Sequence, residues 1–285
     1  MKIVLQILLA INIFSFAGLA YGEEPDQGAQ LIGQFNPARD LFIPQFDSKT
    51  DADDIHSIAG VGTLLRDPRM AGVNYHAVAG AYGIQDGLYI PAPQLFDLTF
   101  GDRWSDAHEY REQALAEVST LVRKALLEGG HVWVAEAGQS DFTADWLTRI
   151  NEMNLPVSSK MHVHVVQHSD WNESVTDPAK LAYVQKHANY HKIADGNAVG
   201  NGTPGFNTAS DHLWEQVLSS GGTKETWGMA KEIAENYNGK DGRYNNDSIA
   251  AGGMDFSDVA ETCWIFGFDD LNDADAFFEA FASAQ

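Results

Sequence analysis

Leu41-Phe42-Ile43-Pro44-Gln45-Phe46-Asp47-Ser48-Lys49-Thr50-Asp51-Ala52-Asp53-Asp54-Ile55-His56-Ser57 passes from an apolar run through an acidic one into a second apolar pattern. Leu41 to Phe46 reads as a buried strand. From Ile55 to Arg66, apolar Ile55, Ile58, Ala59 and Leu65 recur at helical spacing, and Asp67-Pro68 stops the run. A strand that turns directly into a helix opens a βαβ unit. Outward from it the alternation repeats. Val73 to Ala81, His131 to Ala135 and Met161 to Val166 read as strands. Ser105 to Leu127 reads as a helix capped by Ser105 and ended by Gly129-Gly130. Phe142 to Met153, with Asp141 as cap, and Pro178 to Lys192 read as helices, as do Asp211 to Ser219, Lys224 to Tyr237 and Asp273 to Ala282. Residues 85–103 and Asn197 to Asn207 read as loops, and Val259 to Phe268 as an apolar segment after the Gly252-Gly253 turn. The expected fold is α/β, an open and mainly parallel Rossmann-like sheet with helices on both faces. Such sheets bind ligands beyond the carboxyl ends of their strands. That gathers the loops after Phe46, Gly80, Ala135, Val166 and Gly253.

The start of the chain reads as a secretory signal over residues 1–22: Met1-Lys2, apolar Ile3 to Ala20, then the small-x-small pattern Ala20-Tyr21-Gly22. Its modest length and the acidic, polar Glu23 to Gln30 behind it disfavour a membrane anchor. The mature protein is therefore expected in the periplasm or outside the cell, with no membrane association. Residues 23–40 read as a loosely held arm and 41–285 as one domain. Cys263 is the only cysteine, so no internal disulfide forms, and its apolar neighbours Trp264-Ile265-Phe266 suggest a buried thiol. A net charge of −22 argues against nucleic acid and anionic polysaccharide as partners. It suits solubility, a divalent cation and a neutral substrate.

Four carboxylates fall within Asp47 to Asp54. Acids at a helix start favour the dipole and can cap its amides, but one or two suffice for that. Four acids at a strand end repel one another unless a cation lies among them. An oxygen-seeking ion such as Ca2+, which takes six to eight oxygen ligands, meets that need. The run is not an EF-hand loop, since Ala52 and Ile58 stand where the central Gly and the final acid would be.

Asp47-x-x-x-Asp51-x-Asp53-Asp54 after a first strand resembles the N-terminal signature of the nucleoside hydrolase superfamily, closest to a divergent branch reading D-x-x-x-[ED]-P-D-D. Val132-Trp133-Val134-Ala135-Glu136-Ala137-Gly138-Gln139-Ser140 is similar to the family's third-strand segment, and Gly253-Met254-Asp255-Phe256-Ser257 to its late acidic turn. The resemblance implies Ca2+ held by Asp47, Asp54, the Ala137 carbonyl and Asp255. It implies Asp53 as the base that takes a proton from water at the metal, and Asp51 in a supporting or sugar-contacting place. Candidate substrate contacts are Gln85, His168, Asn172 and Glu173. The departures fall on the substrate side: Lys49 and Ala52 replace family residues, the Gly80 to Gln85 stretch offers no Asn, and Met254 stands where the family has a His. The implied reaction is hydrolysis of an N- or O-glycosidic bond to a pentofuranose, in a nucleoside or a pentose-containing glycoside. The alternative is a non-catalytic, calcium-containing sugar-binding protein. A homo-oligomer is left open.

Among other motifs, His162 and His164 are expected two apart on one strand face, a satisfied pair rather than a zinc site, which needs three or four ligands. Trp171 could stack on a ring or pack in the core, and Tyr82 could touch substrate or lie on a loop surface. Ser140 lacks the Gly-x-Ser-x-Gly elbow. Gly196 to Gly205 lacks the Lys of a phosphate-binding loop.

Overall fold

The computed structural model describes residues 30–197 and 205–282. The expected export signal lies outside them, as does most of the Gly- and Asn-rich loop. Six parallel strands form the central sheet: β1 (Leu41–Phe46), β2 (Ala77–Ala79), β3 (Trp104–Asp106), β4 (Val132–Ala137), β5 (Val163–Gln167) and β6 (Asn189–Lys192). Their order is β3-β2-β1-β4-β5-β6. β1 and β4 pair along their whole length, from Leu41 opposite Val132 to Phe46 opposite Ala137. A small antiparallel pair, β7 (Asn207–Thr208) and β8 (Met254–Asp255), lies apart.

Helices cover both faces. On one lie α1 (Asp53–Leu65), α2 (Pro93–Phe100), α9 (Lys224–Tyr237) and α11 (Val259–Phe266), and on the other α3 (Arg111–Leu127), α4 (Asp141–Glu152) and α7 (Pro178–His187). Shorter helices complete the chain: α5 (Ser159–His162), α6 (Asp170–Val175), α8 (Leu213–Ser219), α10 (Asp247–Ala250) and α12 (Ala274–Phe281). β1 shows why its sequence is apolar throughout. Successive side chains point to opposite faces, so Leu41 and Ile43 enter the core shared with α3 and α4, and Phe42 and Phe46 the core shared with α1 and α11. A strand buried on both faces has no polar side to show. Phe42 meets Phe266 edge-on at 5.0 Å, and Phe46 meets Phe96 at 5.8 Å. Truncating either to Ala would cost about 3–5 kcal/mol in lost contacts and cavity.

Several boundaries differ from the sequence reading. The segment 85–103 contains α2, because Pro93 occupies its first turn, where a missing N–H costs nothing. Ser105 belongs to edge strand β3 rather than capping a helix, and α3 starts at Arg111. Ser159–His162 form a helical turn, so β5 starts at Val163 and His162 is not on the strand with His164. The helix expected to Lys192 ends at His187, and Asn189–Lys192 pair with β5 as edge strand β6. β2 is three residues long. Residues 30–40 are not loosely held. Phe35 is fully buried and lies 5.2 Å from the Phe266 ring, and Gln34 N–H donates to Ile265 O at 3.0 Å. Asp40 accepts from Asn36 N–H, His131 N–H and Trp133 Nε1–H, tying the segment to β4. Cys263 is buried and free, as expected. No helix among the described residues is long and apolar enough to cross a membrane.

The strand order reverses between β1 and β4. The connections leaving their carboxyl ends run to opposite faces, and a crevice opens there.

Candidate metal and sugar site

Asp47 follows β1 and extends its pairing, donating its N–H to Ala137 O at 3.2 Å. Ser48 then takes φ +52° and turns the chain back over the strand end. Lys49 N–H donates to Asp47 Oδ1 at 2.7 Å, and Gln139 Nε2 to Asp47 Oδ2 at 2.6 Å. Ser48 N–H donates to Asp54 Oδ2, and Asp54 N–H to Asp53 Oδ1 at 2.8 Å. Helix capping accounts for little of this acidity, because the cap position of α1 is Ala52, which has no side chain able to cap.

A cleft of about 520 Å3 opens at this point. Asp47, Lys49, Thr50, Asp51, Asp53 and Asp54 line it from the β1 turn, and Ala137 and Gly138 from the β4 turn. His168, Ser169, Trp171 and Asn172 face them from beyond β5, with Asp195, Asn197, Tyr244 and Asp258 closing the sides. Trp171 and Tyr244 are each 60% exposed at the mouth.

Burial dominates the electrostatics. It pushes the Asp47 carboxyl up to about 7 and that of Asp258 to about 8, where the charges of Asp255 and Asp47 add to the effect. Asp53 and Asp54 are raised well above the carboxylate range, first by burial, then by Asp51 and Asp258 respectively. Low dielectric and like charge both disfavour ionisation. A cation among these groups would reverse the second effect and offset the first.

The donor set suits a hard divalent ion. It is all oxygen, Asp54 Oδ1 and Ser48 Oγ are buried with no hydrogen-bond partner, and the Ala137 carbonyl accepts from Asp47 N–H with one lone pair to spare. Among the described residues, no group of three or more His, Cys, Asp or Glu side chains stands arranged to hold a metal ion. The acids are held instead by Ser48, Lys49 and Gln139.

The expected site residues divide into two groups. Asp47, Asp51, Asp53, Asp54, Ala137, His168 and Asn172 line one cleft. Asp255 does not. Its carboxylate accepts from Asn246 Nδ2 at 2.8 Å and Ser257 N–H at 3.1 Å, and Asp258, three residues on, takes the cleft-facing place expected of it. Asn246 Nδ2 also reaches Asp51 Oδ2 at 3.2 Å, so Asp255 supports the cluster from behind. Gln85 sits beneath Asp47, bonded through Gln139, with its carbonyl accepting from Lys49 Nζ. Glu173 is drawn to the sheet edge by Tyr190 Oη–H at 2.8 Å and Lys192 Nζ at 3.0 Å. Tyr82 lies under Lys49 Nζ, 3.8 Å from its ring centre.

Sequence reasoning missed Asp258, Gln139 and Gln167. The repeat of Asp three residues after Asp255 was a usable signal for the first. Gln167, at the end of β5, donates to Glu136 O and Gly138 O, and accepts from Ser169 N–H and Asn172 Nδ2. It thereby joins the β4 turn to the side of the cleft beyond β5, and only the register of β4 against β5 reveals that. Comparison of the chain with models of known families, with curated proteins and with solved structures found no match.

Proposed function

We propose that the chain is a calcium-dependent hydrolase of a glycosidic bond to a pentofuranose, the activity implied by its resemblance to the nucleoside hydrolases. The observation that carries the reading is the convergence of Asp47, Asp51, Asp53, Asp54 and Ala137 on one cleft at the point where the strand order reverses. Bound calcium, held by Asp47, Asp54 and the Ala137 carbonyl with Asp258 as the far-end acid, would neutralise the cluster, orient sugar hydroxyls and make water more acidic.

Asp53 is half-buried in the cleft wall. Asp54 N–H fixes its Oδ1 and leaves Oδ2 to take a proton from the attacking water. The water oxygen bonds to the anomeric carbon, and the glycosidic bond breaks with its electron pair leaving on the departing group. The acidic lining favours the positive charge that develops on the sugar ring. Asn172 and His168 face the acids across the cleft and would bind hydroxyls, and Trp171 offers an exposed ring face to the substrate. An exported location is part of the same proposal and rests on residues 1–22.

A panel of nucleosides, aryl ribosides and aryl arabinosides, with and without chelator, tests the reading. Release that chelator abolishes and calcium restores is the expected result. If the protein binds calcium and pentose but releases nothing from any substrate, the sugar-binding alternative replaces the hydrolase.

A further inference from the structure

A second set of donors lies on the same sheet, along β4, β5 and β6. His131 precedes β4, while His164 and His191 stand on β5 and β6. His164 Nδ1 accepts from Asn189 Nδ2 at 3.1 Å. That bond assigns the ring proton to Nε2, which donates to His131 Nδ1 at 2.8 Å. The same unprotonated Nδ1 also lies within hydrogen-bond distance of His191 Nε2, at 3.3 Å. Two nitrogens bound at about 2.0–2.1 Å to one tetrahedral ion stand about 3.3 Å apart. Trp133 stacks on His164 at 3.9 Å and 10°, and fixes its ring plane.

We propose that His164 Nδ1 and His191 Nε2 form a site for one borderline transition ion, of the Zn2+, Ni2+ or Cu2+ class, with His131 orienting His164 from behind. A ligating imidazole characteristically gives its other N–H to an acceptor that sets tautomer and direction, and His131 Nδ1 is that acceptor. The ion would take the place of the Asn189 amide at Nδ1, and water would complete the shell. His191 and Asn189 are half-buried on edge strand β6, so an ion can enter from solvent, while His164 is only 8% exposed. The nearby Lys160 ammonium is engaged by Ala188 O at 2.7 Å and Gln185 O at 3.1 Å. Imidazole nitrogens select against Ca2+, so this site and the acidic cleft take different ions. The inference does not depend on the function proposed for the cleft.

The test is calorimetric titration of untagged full-length protein, saturated with calcium, with Cu2+, Ni2+ and Zn2+, together with Cu2+ electron paramagnetic resonance. One equivalent should bind, Cu2+ more tightly than Ni2+ or Zn2+, with nitrogen couplings in the copper spectrum. His191→Ala should weaken binding at least about 100-fold, and His131→Gln roughly 10- to 100-fold. Asp54→Asn should leave it unchanged. An unaltered affinity in a His191→Ala protein whose melting temperature matches wild type would overturn the proposal, as would the absence of Cu2+ binding at about 100 µM.

Discussion

The two ends of the sheet answer burial in opposite ways. At the carboxyl ends of β1 and β4, carboxyl groups enclosed by protein are pushed up, Asp47 to about 7 and Asp258 to about 8. Toward the amino ends of β4 and β5, roughly 20 Å away at 3.3 Å per residue, enclosed imidazoles are pushed down. His164 falls to about 3, by burial first and then by His131, His191 and His162. Low dielectric suppresses charge of either sign. One end therefore holds acids that keep their protons to a higher pH, which the proposed hard cation would displace, and the other neutral imidazoles of the kind the proposed softer ion would take. Crossover loops at the carboxyl ends crowd acidic side chains around a crevice, whereas the imidazoles stack along the face that β4, β5 and β6 present.

The sharpest way to break this comparison is to change the proposed base alone. Asp53→Ala should lower kcat by roughly 10^2 to 10^4 and keep calcium affinity within a few-fold, whereas His191→Ala should leave turnover intact. Steady-state kinetics beside calcium titration checks both, and wild-type turnover in Asp53→Ala would remove Asp53 from the mechanism.

Calcium and pH come next. At about 100 times its Kd, calcium adds about 2.7 kcal/mol, or roughly 5–10 °C in melting temperature for a chain of this size. Asp47 and Asp258 are acids raised on folding, so the calcium-free folded state holds more protons than the unfolded one from about pH 4 to pH 8. Its stability falls as pH rises through that window. Protons and calcium compete for these oxygens, so the calcium-induced shift should be larger at pH 8 than at pH 5. Differential scanning calorimetry at the two values reads it, and equal shifts would remove these acids from the site.

The imidazole end should give the opposite slope. His164 is a base lowered on folding, so its contribution is whole above about pH 6.5 and is lost as pH falls toward 3. Denaturant titrations of His164→Gln should show an acid limb shallower by about one proton. Smallest is the effect of Gln167→Ala, which unties the β4 turn from Ser169 and Asn172. Calcium affinity should drop roughly tenfold, as second-sphere losses do.

The carboxyl end was the more legible of the two. β1, the acidic run and α1 are contiguous, and a doubly buried strand followed by a helical apolar stripe has few other readings. Asp47, Asp51, Asp53, Asp54, Ala137, His168 and Asn172 were assigned to one site from the resemblance and from the rule that parallel sheets bind at their carboxyl ends, and they line one cleft. Features set by tertiary pairing were hidden. β6 is a short polar strand, Asn189-Tyr190-His191-Lys192, which reads as the end of a helix until β5 is beside it. α2 hid behind Pro91 and Pro93, read as chain breakers. Glu173 followed the right strand, but Tyr190 and Lys192 of β6 draw it away from the cleft. His164 and His191 are far apart in sequence and share a face only once β5 and β6 pair.

Equilibrium calcium binding to chelator-treated protein near pH 8, wild type beside Asp54→Asn, tests the central claim most directly. The account requires one Ca2+ per chain in wild type and at least about a 100-fold loss of affinity in the variant, whose amide retains the bond to Ser48 but not the charge. Absence of calcium binding to folded wild-type protein at millimolar concentration would contradict it.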